Sequence, residues 1–109
     1  MIRARLSPKA ERDLDDHCGH IAAENPKAAE RVRRTILNTA DLLAQHPELG
    51  RPLRRVAPRH ANIRWLVVPK FRNYIIFYLP FAGTIMVVRI LHAEQDWTRF
   101  FPASPTRPA

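Results

Sequence analysis

A single cysteine, three glycines and no long apolar run mark this 109-residue chain. One cysteine, Cys18, excludes an internal disulfide and suits a reducing compartment. The glycines stand far apart, at Gly19, Gly50 and Gly83, so no glycine-rich loop exists to cradle a phosphate. No stretch approaches the roughly 20 apolar residues that span a bilayer. The opening Met-Ile-Arg-Ala-Arg-Leu has no apolar signal core, and the expected location is the cytoplasm, away from membranes. The most informative absence is acid. Between Glu48 and Glu94 there is no Asp or Glu, while Arg51, Arg54, Arg55, Arg59, Arg64, Lys70, Arg72 and Arg89 all fall there. The chain's entire formal charge of +8 therefore belongs to that segment, because the flanking parts each balance to zero.

With 46% hydrophobic and 26% charged residues the composition is that of an ordinary globular protein, which excludes wholesale disorder. Its length predicts one domain, over residues 1–101, followed by a flexible tail at 102–109 (Pro-Ala-Ser-Pro-Thr-Arg-Pro-Ala).

Residues 2–6 alternate apolar and basic and predict a short strand. Ser7-Pro8 supplies a helix cap and a proline suited to the first turn. Ala10, Leu14, Cys18 and Ile21 then follow at helical spacing, up to about Glu24. Asn25-Pro26 repeats the start signal for a second helix to about Gln45, with Ala29, Val32, Ile36, Ala40 and Leu43 on its apolar stripe. So short a link predicts an antiparallel helical hairpin. Residues 47–62, with Pro47, Gly50, Pro52 and Pro58 among four arginines, predict a loop. Strands are expected at Ile63–Val68, Tyr74–Leu79 and Thr84–Leu91, the last two joined by a turn over Pro80-Phe81-Ala82-Gly83. Residues 96–101 suit one helical turn.

The order β-α-α-β-β-β predicts an α+β domain with the helical hairpin on one face of an antiparallel sheet. Strict alternation sets Tyr74, Ile76 and Tyr78 against Ile75, Phe77 and Leu79, and Ile85, Val87 and Leu91 against Met86, Val88 and Ile90. Both faces are apolar, yet two helices cover only one. The other face must be covered by a partner or by the ends of the chain, and a binding groove is expected there.

Five segments, in this order, resemble the RelE/ParE superfamily of bacterial type II toxins over about residues 3–97. They are Leu6-Ser7-Pro8-Lys9-Ala10-Glu11-Arg12-Asp13-Leu14, Ile21–Ala29, Leu42–Pro52, Tyr74-Ile75-Ile76-Phe77-Tyr78 and Arg89-Ile90-Leu91-His92-Ala93-Glu94-Gln95-Asp96. The resemblance implies a toxin neutralised by a small antitoxin with an acidic C-terminal segment, often in a heterotetramer. One branch of the family cuts mRNA on the ribosome; the ParE branch poisons DNA gyrase. In the cutting branch an arginine directly follows the tyrosine that opens the penultimate strand, and here that position is Ile75. Catalytic groups of that branch also lie just beyond the last strand, where this chain has the acidic Ala93-Glu94-Gln95-Asp96. The resemblance therefore implies a ParE-like gyrase inhibitor, acting without cofactor or metal and reaching DNA only through gyrase. The alternatives are a metal-independent mRNA endonuclease using Arg72, Arg89 and His92, and a non-toxic scaffold that binds the antitoxin.

Arg64, Lys70, Arg72 and Arg89 lie on or between the strands and suit contact with gyrase or the carboxylates of an antitoxin; strand-edge charges that discourage aggregation are the bland alternative. Arg89 interrupts an apolar strand, so it must reach a partner or an internal acid. His92 suits a general base or a structural histidine at the strand end. Trp97 and Trp65 suit anchoring of a partner or packing. His17 and His20 share a helix face, but Cys18 points about 100° from His17, which argues against zinc. Ser7 and Ser104 fall at a helix cap and in the tail, unsuited to a nucleophile's role.

Overall fold

The computed structural model describes residues 2–102. The tail expected at 102–109 lies, apart from Pro102, outside the described residues. Two helices pack on one face of a sheet, as the element order implied, but the sheet has five strands rather than four and is mixed rather than wholly antiparallel.

Helix α1 (Pro8–Ala22) begins where the Ser7 hydroxyl accepts the Ala10 N–H at 3.1 Å. Helix α2 (Pro26–Gln45) begins the same way, with the Asn25 side-chain oxygen accepting the Ala28 N–H at 3.0 Å. The first helix stops two residues short of Glu24 because the Glu24 and Asn25 N–H groups both turn back to the Ile21 carbonyl. Of the expected stripes, Ala10, Leu14 and Cys18 on α1 and Ala29, Val32, Ile36, Ala40 and Leu43 on α2 are buried in the core, while Ile21 is only partly buried against it.

The sheet runs β1-β5-β4-β3-β2, from β1 (Arg5–Leu6), β2 (Arg51–Pro52), β3 (Arg64–Val67), β4 (Tyr74–Phe81) and β5 (Thr84–His92). β3, β4 and β5 form the expected antiparallel meander, and β1 joins β5 in parallel. Four features correct the sequence expectations. β1 is shorter than residues 2–6, because its preceding residues are held by side chains instead: the Ala4 N–H donates to the Asp41 carboxylate and the Thr84 hydroxyl to the Arg3 carbonyl. β2 stands inside the segment expected to be loop; it is two residues long and contains proline, which hides it from any alternation test. The β4–β5 turn is only Ala82-Gly83, with φ of 48° and 79°. A two-residue turn with both central residues left-handed matches strand twist. Pro80 stays in the strand because β3, which begins opposite Tyr78 and runs away from it, does not lie beside Pro80.

The fourth correction concerns which side chains share a face. Phe77 pairs with Arg89 but Tyr78 pairs with Val87, so Val88 is an extra residue, a β-bulge. The bulge inverts the alternation after it. Ile90, rather than Leu91, joins Ile85 and Val87 under the helices, and Leu91 turns to the opposite face with Val88.

That opposite face carries a second core. Leu53 and Ile63 from the β2–β3 connection and Phe101 from beyond β5 are buried against Phe77 and Leu91, with Phe101 and Phe77 ring centroids 4.9 Å apart. The chain thus covers much of that face itself, by means of a loop and its C-terminal turn.

Candidate functional site

What remains uncovered on that face is a groove of about 650 Å³ between β2 and the 3₁₀ turn Trp97–Arg99. Its walls are apolar and mostly strand-borne: Trp65 on β3, Ile75 and Phe77 on β4, Leu53 and Pro52 at β2, and Trp97 on the turn. Arg51 and Arg54 stand at its rim, both exposed, and the Arg51 guanidinium lies 5.9 Å from the Trp65 ring centroid. Neither arginine belongs to an ion pair among the described residues. The next residue, Arg55, has a φ of 60°, a left-handed backbone that costs a side-chain-bearing residue energy.

β2 is positioned by one buried hydroxyl. Tyr78 points from β4 towards the end of α2, donates to the Pro47 carbonyl at 2.6 Å and accepts the Gly50 N–H at 2.8 Å. Gly50 has no room for a side chain, since a Cβ there would sit 2.3 Å from the Tyr78 oxygen. Burial raises the Tyr78 phenol's pKa, opposed by the Gly50 N–H and the nearby Arg64.

The site residues expected from the sequence do not form one cluster. Arg64 is half-buried on β3, donating to the Gly50 carbonyl at 2.7 Å, so it braces β2. Lys70 and Arg72 are exposed in the β3–β4 connection, where Lys70 has a φ of 71°. Trp97 forms a groove wall.

Arg89 has found an internal acid, one of the two outcomes its position allowed. Its Nε and Nη2 donate to the two oxygens of Asp13 on α1, each at 2.7 Å, and its guanidinium lies 4.3 Å from the Phe100 ring centroid. The same carboxylate accepts the Ile90 N–H at 3.0 Å. It belongs to a series of α1 groups that serve the backbone of β5 beyond the short β1. The Ser7 hydroxyl donates to the Val88 carbonyl at 3.0 Å, and His17 Nε2 lies 2.8 Å from the Ile90 carbonyl, which makes that nitrogen the protonated one.

His92 lies at the end of β5 in a different, shallower cleft. Its Nδ1 accepts the Glu94 N–H at 3.1 Å, and its ring meets Tyr74 edge-on at 5.4 Å. Tyr74 in turn lies 5.1 Å from the His17 ring, and His20 completes the cleft. Cys18, one residue from His17, is buried in the core, where desolvation raises its thiol pKa. Among the described residues no three His, Cys, Asp or Glu side chains are placed to hold one metal ion. No helix there is long and apolar enough to cross a membrane.

Sequence reasoning missed Arg51, Arg54 and Leu53 as parts of a site. Their signal was the clustering of arginine around an isolated leucine in a proline-rich stretch.

A helical hairpin laid on a mixed sheet, with an apolar, cation-rimmed groove on the other face, defines a small α+β domain. The same fold occurs in a chain of the chromosomal ParDE TA system from P. aeruginosa, with a TM-score of 0.68, 21% identity, and coverage of 84% of this chain and 96% of that one. The family described as ParE toxin of type II toxin-antitoxin system, parDE, matches residues 4–97. This chain belongs to that family and, with it, to the RelE/ParE superfamily of type II toxins. Among its relatives, toxin RelE3 of Caulobacter vibrioides is 32% identical over 96 residues, covering 87% of this chain and 98% of the relative. Toxin RelE2 of the same organism is 36% identical over 83 residues, or 76% and 85% of the two chains.

Proposed function

We propose that this toxin acts as a ParE-like inhibitor of DNA gyrase, binding the enzyme, stabilising its cleaved-DNA state and so arresting replication. The observation that carries the reading is the chemistry of the groove. Ile75, Phe77, Trp65 and Leu53 form its interior, and none of them gives or takes a proton in water's working range. Such a surface suits holding a partner, with no bond made or broken by the toxin itself. Arg89, held by Asp13 and Phe100, acts in this reading by fixing β5 and the C-terminal turn beside the groove, while Arg64 fixes β2. Lys70 and Arg72, exposed and in no ion pair among the described residues, are left for the target or for the antitoxin. The antitoxin neutralises the toxin by covering apolar and basic surface together, and DNA is reached only through gyrase.

Purified toxin is expected to inhibit gyrase supercoiling and to accumulate cleaved DNA at micromolar concentration; no effect there refutes the proposal. The cleft of His92, Tyr74 and His17 favours the second reading, an mRNA endonuclease, since it sets an imidazole beside a phenol. Primer extension on mRNA from toxin-expressing cells separates the two, because only a nuclease leaves discrete cuts. Harmless expression with both assays negative would support the antitoxin-binding scaffold.

A further inference from the structure

The segment Arg51–Arg59 crosses the second face of the sheet as a strap with two unlike sides. Leu53 and Ala57 are buried, and Val56 packs on the second core beside Leu53. Between them Arg51, Arg54, Arg55 and Arg59 are exposed, and none belongs to an ion pair among the described residues. The His60 ring that follows meets Phe101 edge-on at 5.4 Å. Burial, and after it the charge of Arg59, holds the His60 pKa below its usual 6.5. At neutral pH the charge of the strap is therefore carried by arginine alone.

These cations stand on a fixed backbone. The Leu53 N–H donates to the Ile63 carbonyl at 2.9 Å, the Ala57 N–H to the Pro102 carbonyl at 3.1 Å and the Ile63 N–H to the His60 carbonyl at 3.1 Å. Arg55 is kept at a φ of 60°, an unfavourable conformation for any residue with a side chain. Charges presented in one arrangement lose little order when a ligand meets them. Protein partners dock through apolar anchors with charge at the rim, but between Arg54 and Arg59 the strap offers nothing apolar beyond half-buried Val56 and Pro58. Single-stranded nucleic acids are gripped by stacking on aromatic rings, and residues 51–59 include none. A duplex phosphate backbone needs neither, and the planar guanidinium fork matches phosphate.

We infer that the Arg51–Arg59 strap contacts the phosphate backbone of duplex DNA without reading its sequence. The inference rests on the reading of this chain as a toxin that meets DNA at gyrase, and it adds a direct contact there. Four such contacts lose about a hundredfold in affinity between roughly 50 and 200 mM salt. The strap alone therefore does not keep the toxin on free DNA in a cell, and it acts where gyrase already holds the duplex.

The full-length toxin is titrated into a fluorescein-labelled duplex of about 20 base pairs, and binding is read by anisotropy. Micromolar binding is expected at low salt, with a slope of log affinity against log salt of about −3 to −4. A duplex of scrambled sequence is expected to bind equally. No binding at low salt, a slope closer to zero than about −1, or a tenfold preference for one sequence would each overturn the inference. Polyglutamate and a single strand of the same length are expected to displace the labelled duplex at least fivefold less well than unlabelled duplex. Equal displacement by polyglutamate would make the strap a site for acidic protein and overturn the inference, as would tenfold tighter binding of an RNA duplex.

Arg55→Gln with Arg59→Gln is expected to reduce the slope by about two and the low-salt affinity at least tenfold. Lys27→Gln with Arg31→Gln removes as much charge from exposed positions on α2 and is expected to change affinity less than twofold. Equal losses in the two variants, both checked for fold by circular dichroism, would trace binding to net charge and overturn the site. The titration contains no gyrase, so a separate supercoiling assay keeps the two questions apart. A toxin that inhibits gyrase without binding the duplex refutes the strap alone, and one that binds the duplex without inhibiting gyrase refutes the gyrase reading alone.

Discussion

Replacing Asp13 by alanine removes one carboxylate and leaves two groups without partners. Arg89 loses both of its 2.7 Å hydrogen bonds, and the Ile90 N–H loses its acceptor. The side chains of Arg89 and Asp13 are only 18% and 12% exposed, so water replaces the lost contacts poorly. Breaking a buried ion pair from one side costs about 3–5 kcal/mol. An orphaned buried N–H adds about 1–3 kcal/mol. Against this, the guanidinium keeps its place over Phe100, a contact contributing about 1–2 kcal/mol in a partly desolvated site, and residual exposure lets some water in. The expected loss for Asp13→Ala is therefore about 3 kcal/mol, a large part of a small domain's stability. Removing both partners, as in Asp13→Ala with Arg89→Met, is expected to be less damaging than Asp13→Ala alone, because no buried charge is stranded. Urea titration followed by circular dichroism measures both, and the midpoints are comparable while the slope stays constant. A loss below about 1 kcal/mol for Asp13→Ala, or additive losses in the double variant, would refute the view that this pair pins β5 to α1.

Three further outcomes follow from the same structure. Gly50→Ala puts a Cβ 2.3 Å from the buried Tyr78 oxygen and is expected to cost about 1–3 kcal/mol in thermal or urea unfolding, through overpacking. The alkaline limb of stability should depend on Tyr78. Its pKa is raised in the fold above the usual 10.0, so the unfolded chain releases its proton first, stability is full below that value, and it falls as pH rises further. Tyr74 is raised too, so Tyr78→Phe should flatten that fall only in part, as read from unfolding midpoints measured on either side of pH 10.0. The Cys18 thiol, buried and with a raised pKa, should react with a disulfide reagent at neutral pH only after urea unfolds the chain; rapid reaction in the native state would contradict its burial.

The helical half was legible residue by residue because its signals are local. Ser7 and Asn25 cap the turns that follow them, and each stripe recurs at a spacing that one face of a helix must bury. The strands were legible as strands but not as faces. A run such as Ile85–Leu91 is apolar at nearly every position, so alternation carries no parity, and the Val88 bulge exchanged Ile90 with Leu91 without trace in the sequence. The need of Arg89 for either a partner or an internal acid could be stated from the sequence. Its partner could not be named, because Asp13 lies 76 residues away and looks there like any acid in a first helix. A groove on the second sheet face could be expected from the sequence, but its walls could not. Its shape depends on how far a proline-rich loop and two phenylalanines reach across that face, which is decided by packing.

The service that α1 renders to β5 has a consequence for how the toxin is made. Ser7, Asp13 and His17 meet their partners across 81, 76 and 73 residues of chain, so the helix emerges from the ribosome long before the strand it completes. Until β5 has been synthesised, the hairpin's apolar stripe faces water and the ring of contacts stays open. Contacts of such separation are slow to form and come late. The fold therefore closes only when its first helix and last strand can meet, and a chain interrupted before Ile90 lacks the strand on which its first helix depends. An unfinished chain therefore lacks the sheet face that carries the groove.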